Sequence, residues 1–486
     1  MAKALDHFFH PESIAVIGAS RNPKKPGYVI LKNLIENKER GVLKAEIYPV
    51  NPKAKEVLGL KAYPSIKEVP SKVECSIIVV PAEYVPKVLR ECGEKGVKAT
   101  IIISSGFSEI GNVRLEEELK RTAKEYGIRI IGPNCLGVFD AYSGVDTIFL
   151  PYFKELKSGK KLVSAPRPPR GYISMISQSG ALGNAALDYM SGEGIGISKF
   201  VSYGNKVDVD ESDLIEYLAD DENTKVIIMY LENISNGRKF MEVAKRVSVK
   251  KPIVALKAGR TNAGAKAAAS HTAALAGVDA IYDAAFKQCG VIRVYDMEEM
   301  FDISKALALQ PPAQGDGVAI LTDGGGAGVL AADACELLGL KVVNFTNETK
   351  SMFEELKERG ILERFAITSN PVDLTGSATT EMYVESLKLL LRDHRVHGII
   401  LIALHHVPGI PDIEDFVNKL HETVKGYKKP ITTCVIGGSE AAEFLRKKFE
   451  ERGLPSYTSP ERAARALKAL VEYGYYLKRA YLNTEG

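Results

Sequence analysis

One histidine, His271, stands in the stretch KAAASHTAALAG (266–277), surrounded by Ala, Ser, Thr and Gly. A structural histidine normally packs among bulky side chains. One set among small residues is free to be presented to a ligand and to move. Neutral imidazole is nucleophilic near pH 7 and can take up a phosphoryl group. The phosphorylated ring then needs an acceptor for its other N–H. Glu232, just past the strand-like IIMYL, is a carboxylate suited to that task. A phosphoryl group also needs a cradle, and two segments offer one. SMISQSGALGNAA places Ser179, Gly180 and Ala181 at an N-capped helix start, with free N–H groups and the positive dipole end outward. ILTDGGGAGVLAAD places Gly324, Gly325, Gly326 and Ala327 at a similar junction. Two helix starts converging on one anion would hold it but supply no nucleophile, which leaves that part to His271. Taken one at a time, each feature also has a plain reading: an exposed loop histidine, a carboxylate in a helix's first turn, a flexible glycine turn.

A second set of small, polar turns follows strand-like runs near the start of the chain. IGASRNPKK holds Gly18, Ser20 and Arg21, IIISSGFSE holds Ile103, Ser104 and Ser105, and IIGPNCLG holds Asn134. Such turns allow close backbone approach to a phosphate. After the second strand, where a dinucleotide site would carry a carboxylate for the ribose diol, the sequence has VNPKAKE, with Lys53 and Lys55. Lysines there suit an extra ribose phosphate, as in coenzyme A or NADP. The GxGxxG fingerprint is missing, and plain nicotinamide chemistry loses ground.

The elements that must position these residues alternate along the chain. SIAVI (13–17), IYPV (47–50), SIIVV (76–80), TIII (100–103) and IRII (128–131) are short runs apolar on both faces, as strands of a parallel sheet covered by helices must be. Amphipathic segments at 83–95 and 111–126 lie between them. KELKSGKKLVSAPRPPRG (154–171) is basic and Pro-rich and is expected to be a linker or exposed connection. Alternation resumes with YISMI, KFVS, KVIIMY and PIVALK, joined by helices at 181–191, 211–219 and 237–247. After LQPPAQGDG (309–317) a third block runs through VAILT, KVVNF, GIILIAL and ITTCVIGG. The fold class is therefore α/β with three doubly wound domains, expected at 1–153, 154–312 and 313–486.

Composition narrows the class further. The chain of 486 residues is 45% hydrophobic, enough for a normal core in each of three domains. Its net charge of +3 is spread along the chain rather than clustered, which argues against a nucleic-acid partner. No run of about 18 apolar residues suggests a membrane span. The N-terminal MAKALDHFFHPESIAVIG lacks the pattern of a signal peptide. The six cysteines form no CxxC pair, so no metal site is expected and a cytoplasmic location fits.

Taken together, SIAVIGAS, VNPK, GPNCLG, SQSGAL and SHTAALAG resemble the α subunit of nucleoside-diphosphate-forming (ADP-forming) acyl-CoA synthetases, within the succinyl-CoA synthetase superfamily. The resemblance covers nearly the whole chain. It implies a Rossmann-like CoA-binding domain followed by two flavodoxin-like ligase domains. It implies that His271 is the phosphorylated residue and Glu232 its stabilising carboxylate, and that Ser179–Ala181 and Gly324–Ala327 begin two phosphate-binding helices. CoA contacts carry over to Ser20, Arg21, Lys53 (with Lys55 competing) and Ile103 to Ser105, and Asp373 and Gly376 to the phosphate neighbourhood. The implied reaction turns acyl-CoA, phosphate and ADP into carboxylate, CoA and ATP through an acyl phosphate and a phosphohistidine. The three blocks leave no room for an ATP-grasp domain. ADP and Mg2+ are therefore expected to bind through a separate β subunit, in an α2β2 assembly. The alternative is a CoA-binding regulatory protein that keeps the fold without turnover.

Overall fold

In a computed structural model, which describes residues 2–272 and 278–482, the chain divides into two compact units, 1–297 and 298–486. Each is described by itself.

The first unit holds two open sheets. In the first, the strands run in the order Glu46–Val50, Ser13–Ile17, Cys75–Ile78, Ala99–Ile102, Arg129–Ile131, all parallel. All five residues of Ser13–Ile17 are buried, as expected of a strand covered on both faces. The second sheet has the order Val291–Val294, Ile253–Lys257, Val226–Leu231, Arg170–Ser177, Ile197–Ser202, and these five are parallel. A sixth strand, Gly137–Asp140, closes its edge antiparallel to Ile197–Ser202. It reaches across from the segment that follows the first sheet. One hydrophobic cluster runs from Leu5 and Phe8 under the first sheet to Phe286, on the helix Asp279–Cys289, and Val291 in the second sheet.

The second unit has one parallel sheet around Gly317–Thr322. Lys341–Val342 and Val372–Asp373 pair with that strand, as does Gly398–Ile402, beyond which lie Ile431–Cys434 and Ser456–Tyr457. All three sheets share one feature. In each, the first of its parallel strands in the chain lies inside the sheet, with the second of them on one side and a later strand on the other. This reversal of winding opens a crevice at the carboxyl ends of those strands, the usual ligand position in such sheets. The crevices lie at Gly18–Arg21, at Gln178–Gly180 facing Glu232, and at Asp323–Gly326.

Two local expectations change. At 153–163, overlapping the start of the expected linker, the chain makes an exposed antiparallel hairpin, Phe153–Glu155 with Lys161–Val163, because Ser158-Gly159 supplies a turn with Gly159 at φ 80°. His271 lies not in a loop but in the last turn of the helix Asn262–Thr272, since the Ala-rich run that spares it bulky neighbours is also the best helix former. No helix of the described residues is long and apolar enough to cross a membrane.

Candidate functional site

The rim of the first sheet is built from turns tied to one another. Gly18 has φ 96°, and a Cβ there would overlap the Val79 carbonyl oxygen, so only glycine serves. The Asn51 amide donates to Ala19 O at 2.6 Å, and its Oδ1 accepts from Lys53 N at 2.7 Å. This Asx turn fixes the backbone of Lys53 beside the Gly18–Arg21 loop. Lys55 stands one step away, where the ribbon Glu56–Val57 with Leu60–Lys61 begins. Both lysines are exposed, as is Arg21, while Ser20 is half-buried and accepts from Asn22 N. Ser104 Oγ donates to Val80 O at 2.5 Å, and Ser104 O accepts from Asn134 N at 2.9 Å. Ile103 is buried and Ser105 exposed. The candidates from Gly18 to Asn134 thus occupy one continuous crest along the carboxyl ends of the strands.

Glu109, absent from the sequence-derived set, holds that crest in shape. Its carboxylate accepts from Gly106 N at 2.5 Å and from Phe107 N at 3.2 Å. Burial acts to raise its pKa, but hydrogen bonds from Gly106, Asn205 and Phe107 outweigh this and hold it below the ordinary carboxylate value.

In the second sheet the crevice joins a helix start to a buried carboxylate. Ser179 caps the helix Gly180–Gly192 through Leu182 N, at 3.3 Å from its Oγ. The N–H groups of Gly180 and Ala181 open that helix, and Ala181 is exposed. Gly183 lets the helix lie close on the sheet, because a Cβ there would come within 2.6 Å of the Phe200 ring. Across the crevice Glu232 is 7% exposed. Gln178 binds the two sides together. Its Oε1 accepts from Glu232 N at 2.9 Å and Asn233 N at 3.1 Å, and its Nε2 donates to Asn233 Oδ1 at 2.8 Å. Tyr230 hydrogen-bonds to Glu232, and burial together with that carboxylate pushes its phenol up to about 12. Lys257, at the end of the neighbouring strand, is 3% exposed. Burial lowers its pKa against the opposing pull of Asp279 and Glu232. The helix carrying His271 runs alongside the turn Ser108–Ile110, near the crest of the first sheet. The side chain of His271, and so its pairing with Glu232, lies outside the described residues.

The second unit repeats the helix start with a different setting. Thr322 Oγ1 closes the turn before Gly325–Leu337 by accepting from Gly324 N at 3.0 Å. Gly324 and Gly325 have close neighbours: added Cβ atoms would lie 2.8 Å from Leu404 Cδ1 and 2.6 Å from Asp373 Oδ2. Gly326 faces open space, and Ala327 is half-buried. Two carboxyl groups flank this turn, which sequence alone presents as a simple anion cradle. Asp373 does so at Gly325, and its Oδ1 accepts from Thr375 N, while Gly376 is exposed further out. Asp323 is 2% exposed and accepts from Leu404 N at 3.0 Å, and burial pushes its carboxyl up to about 6. Among the described residues no group of three or more His, Cys, Asp or Glu is placed to hold a metal ion.

Family models match the chain in three successive parts: a CoA binding domain at 12–141, a succinyl-CoA ligase like flavodoxin domain at 170–307, and a ligase-CoA domain at 318–474. Together these domains define a CoA-dependent acid ligase built on doubly wound folds. The α subunit of acetate–CoA ligase [ADP-forming] I of Pyrococcus furiosus is 44% identical over 478 residues, covering 97% of this chain and 98% of the relative. An acetate–CoA ligase [ADP-forming] of Methanocaldococcus jannaschii is 43% identical, and the match covers 96% of this chain but 63% of that longer protein. Among solved structures, the acetyl-coenzyme A synthetase 1 of Ca. Korarchaeum cryptofilum in complex with phosphate and ADP superimposes with a TM-score of 0.87 at 38% identity, covering 98% of each chain. The chain belongs to the family of ADP-forming acetate–CoA ligase α subunits.

Proposed function

We propose that this chain is the α subunit of an ADP-forming acyl-CoA synthetase, with acetyl-CoA as the first substrate to test. Phosphate attacks the thioester carbonyl, the C–S bond breaks, and CoA leaves an acyl phosphate. The imidazole of His271 then attacks phosphorus, the acyl C–O–P linkage opens at the P–O bond, and the carboxylate departs. Phosphohistidine finally passes its phosphoryl group to ADP. In this reading Glu232 accepts the second ring N–H of His271. The N–H groups at Gly180 and Ala181 stabilise the charge on the transferred group, and those at Gly324–Ala327 open the second phosphate-binding helix. Gly18, Ser20, Arg21, Lys53, Ile103–Ser105 and Asn134 hold CoA, and Lys53 is favoured over Lys55 because Asn51 ties it to the first turn.

The observation that carries this reading is the crevice where Gln178 locks buried Glu232 against the helix start at Ser179. A buried carboxylate is costly, and here it stands beside an anion-binding helix end. The relatives named as α subunits, and the longer ligases of which this chain matches about two thirds, support a separate partner that supplies the nucleotide site. We assign that partner an ATP-grasp fold, the binding of ADP and Mg2+, and an α2β2 assembly in the cytoplasm, and we divide this chain functionally at 153 and 312.

The test is phosphorylation of the chain alone by labelled inorganic phosphate with acetyl-, isobutyryl-, phenylacetyl- or succinyl-CoA. Acid-labile, base-stable label with one thioester, lost in His271→Asn, is the expected result and names the acyl class. No label, even after a partner subunit, Mg2+ and ATP are supplied, would mean a CoA-binding module without chemistry.

A further inference from the structure

The turn Tyr203–Val207 follows the strand Ile197–Ser202 and is absorbed by neither candidate site, yet it touches both. Gly204 has φ 53°, and a Cβ there would overlap the carbonyl oxygens of Pro133 and Asn134, so the turn is pressed against the CoA crest. Asn205 N donates to Pro133 O at 3.0 Å and Val207 N to Gly132 O at 3.1 Å. The Asn205 amide donates to Glu109 Oε2 at 2.7 Å, and its Oδ1 accepts from Asn134 at 3.3 Å.

The next residue faces the other way. Lys206 has φ 50°, a left-handed conformation that a lysine seldom adopts, and its side chain is 6% exposed. Its ammonium donates to Glu211 Oε2 at 3.1 Å and to Asn233 O at 2.9 Å. Glu211 is itself 1% exposed. A buried ion pair contributes little to stability over an apolar pair of similar shape. A strained backbone that presents one is a reason to look for function. What the ammonium of this pair reaches is the carbonyl of Asn233, the residue after Glu232. Gln178 takes the N–H groups of Glu232 and Asn233, and Lys206 takes the Asn233 carbonyl.

We propose that the Tyr203–Val207 turn sets the position of Glu232 relative to the CoA crest, with Lys206 as the positioning residue for Glu232 and Asn205 as the anchor on the CoA side. The inference rests on the phosphohistidine reading above. Adjacent residues then have separable effects. Asn205 acts on thioester and CoA binding, whereas Lys206 acts on phosphoryl transfer after binding.

The experiment uses the assembled enzyme. Lys206→Met is combined with Glu211→Gln so that no buried charge is left alone, and is compared with Asn205→Ala and Glu232→Gln. Single-turnover labelling from acetyl-CoA and phosphate gives the transfer rate, calorimetry gives CoA affinity, and thermal melting checks the fold. Loss of a charge-assisted hydrogen bond at a positioning group is expected to slow labelling at saturating acetyl-CoA by about ten- to a hundredfold. CoA affinity should stay within about twofold in that variant, while Asn205→Ala should chiefly weaken CoA binding. A double variant that labels at the wild-type rate, or one whose CoA affinity falls as far as its rate, overturns the proposal. If Glu232→Gln itself labels normally, the role given to Glu232 fails instead, so the two failures are told apart. Lys206→Arg in the wild-type background, which keeps the cation, should recover part of the rate lost in the double variant. Arginine performing no better than methionine would also count against positioning.

Discussion

Replacing Gln178 by Met is the sharpest single perturbation of the crevice. Methionine is close to glutamine in length and volume, so it leaves no sizeable cavity. What it removes is three hydrogen bonds, to Glu232 N, Asn233 N and Asn233 Oδ1, at a side chain only 7% exposed. An unsatisfied buried polar group costs about 1–3 kcal/mol, and partial rewetting keeps the total for three at about 3 kcal/mol. That cost falls on the local structure, so the two amides should exchange faster with solvent by roughly a hundredfold. Hydrogen-exchange mass spectrometry on the peptide spanning 226–236 reads this directly, and phosphate labelling reads the chemistry. Gln178→Glu separates backbone support from charge. It keeps an acceptor for both N–H groups but loses the donor to Asn233 and places a second negative charge beside Glu232. It should therefore retain amide protection and still lose labelling. Unchanged exchange in Gln178→Met, with labelling within about threefold of wild type, would refute the view that Gln178 holds Glu232 in place.

Other consequences follow from the same geometry. Gly18→Ala places a Cβ against Val79 O at φ 96°. It should destabilise the first unit by more than about 1 kcal/mol and abolish CoA binding, measured by melting and calorimetry. Gly326→Ala meets open space and should leave the melting temperature unchanged, so a fall in labelling there would report crowding of a ligand at the helix start. Burial raises Asp323 from an ordinary 3.8 to about 6, so the folded state holds the proton more tightly than the unfolded chain. Its contribution is therefore full below pH 3.8 and is lost as pH rises through about 6, a difference of about 3 kcal/mol at most. Asp323→Asn should remove that slope from denaturant titrations run between pH 4 and 7, and an unchanged slope would refute the assignment.

Much of the fold is legible in the residue pattern because its strands are buried on both faces. SIAVI at 13–17 and the helix at 211–219 coincide with the observed bounds. The hairpin at 153–163 escapes because every residue of its two strands is exposed, so no apolar alternation marks it. The edge strand Gly137–Asp140 escapes because it pairs antiparallel with a sheet whose other strands come later in the chain. Glu109, Gln178, Asn205 and Lys206 are passed over for a related reason. Each is an ordinary polar residue in a turn, and its importance lies in partners tens of residues away, as in the contact of Asn205 with Glu109.

Sequence by itself determined the chemistry on offer: a histidine among small residues, small-residue helix starts, lysines where a nicotinamide site would want an acid, and the motifs that place the chain in its family. These are local properties, set by side-chain type and by the backbone freedom of neighbouring residues. Only the tertiary structure decided which of them meet. Strand order placed Ser179 and Glu232 on facing sides of one crevice, and long-range hydrogen bonds tied Gln178 to Glu232 and Asn233, and Lys206 to Asn233. Burial, which the local pattern does not specify for a polar side chain, is what sets the proton affinity of Asp323.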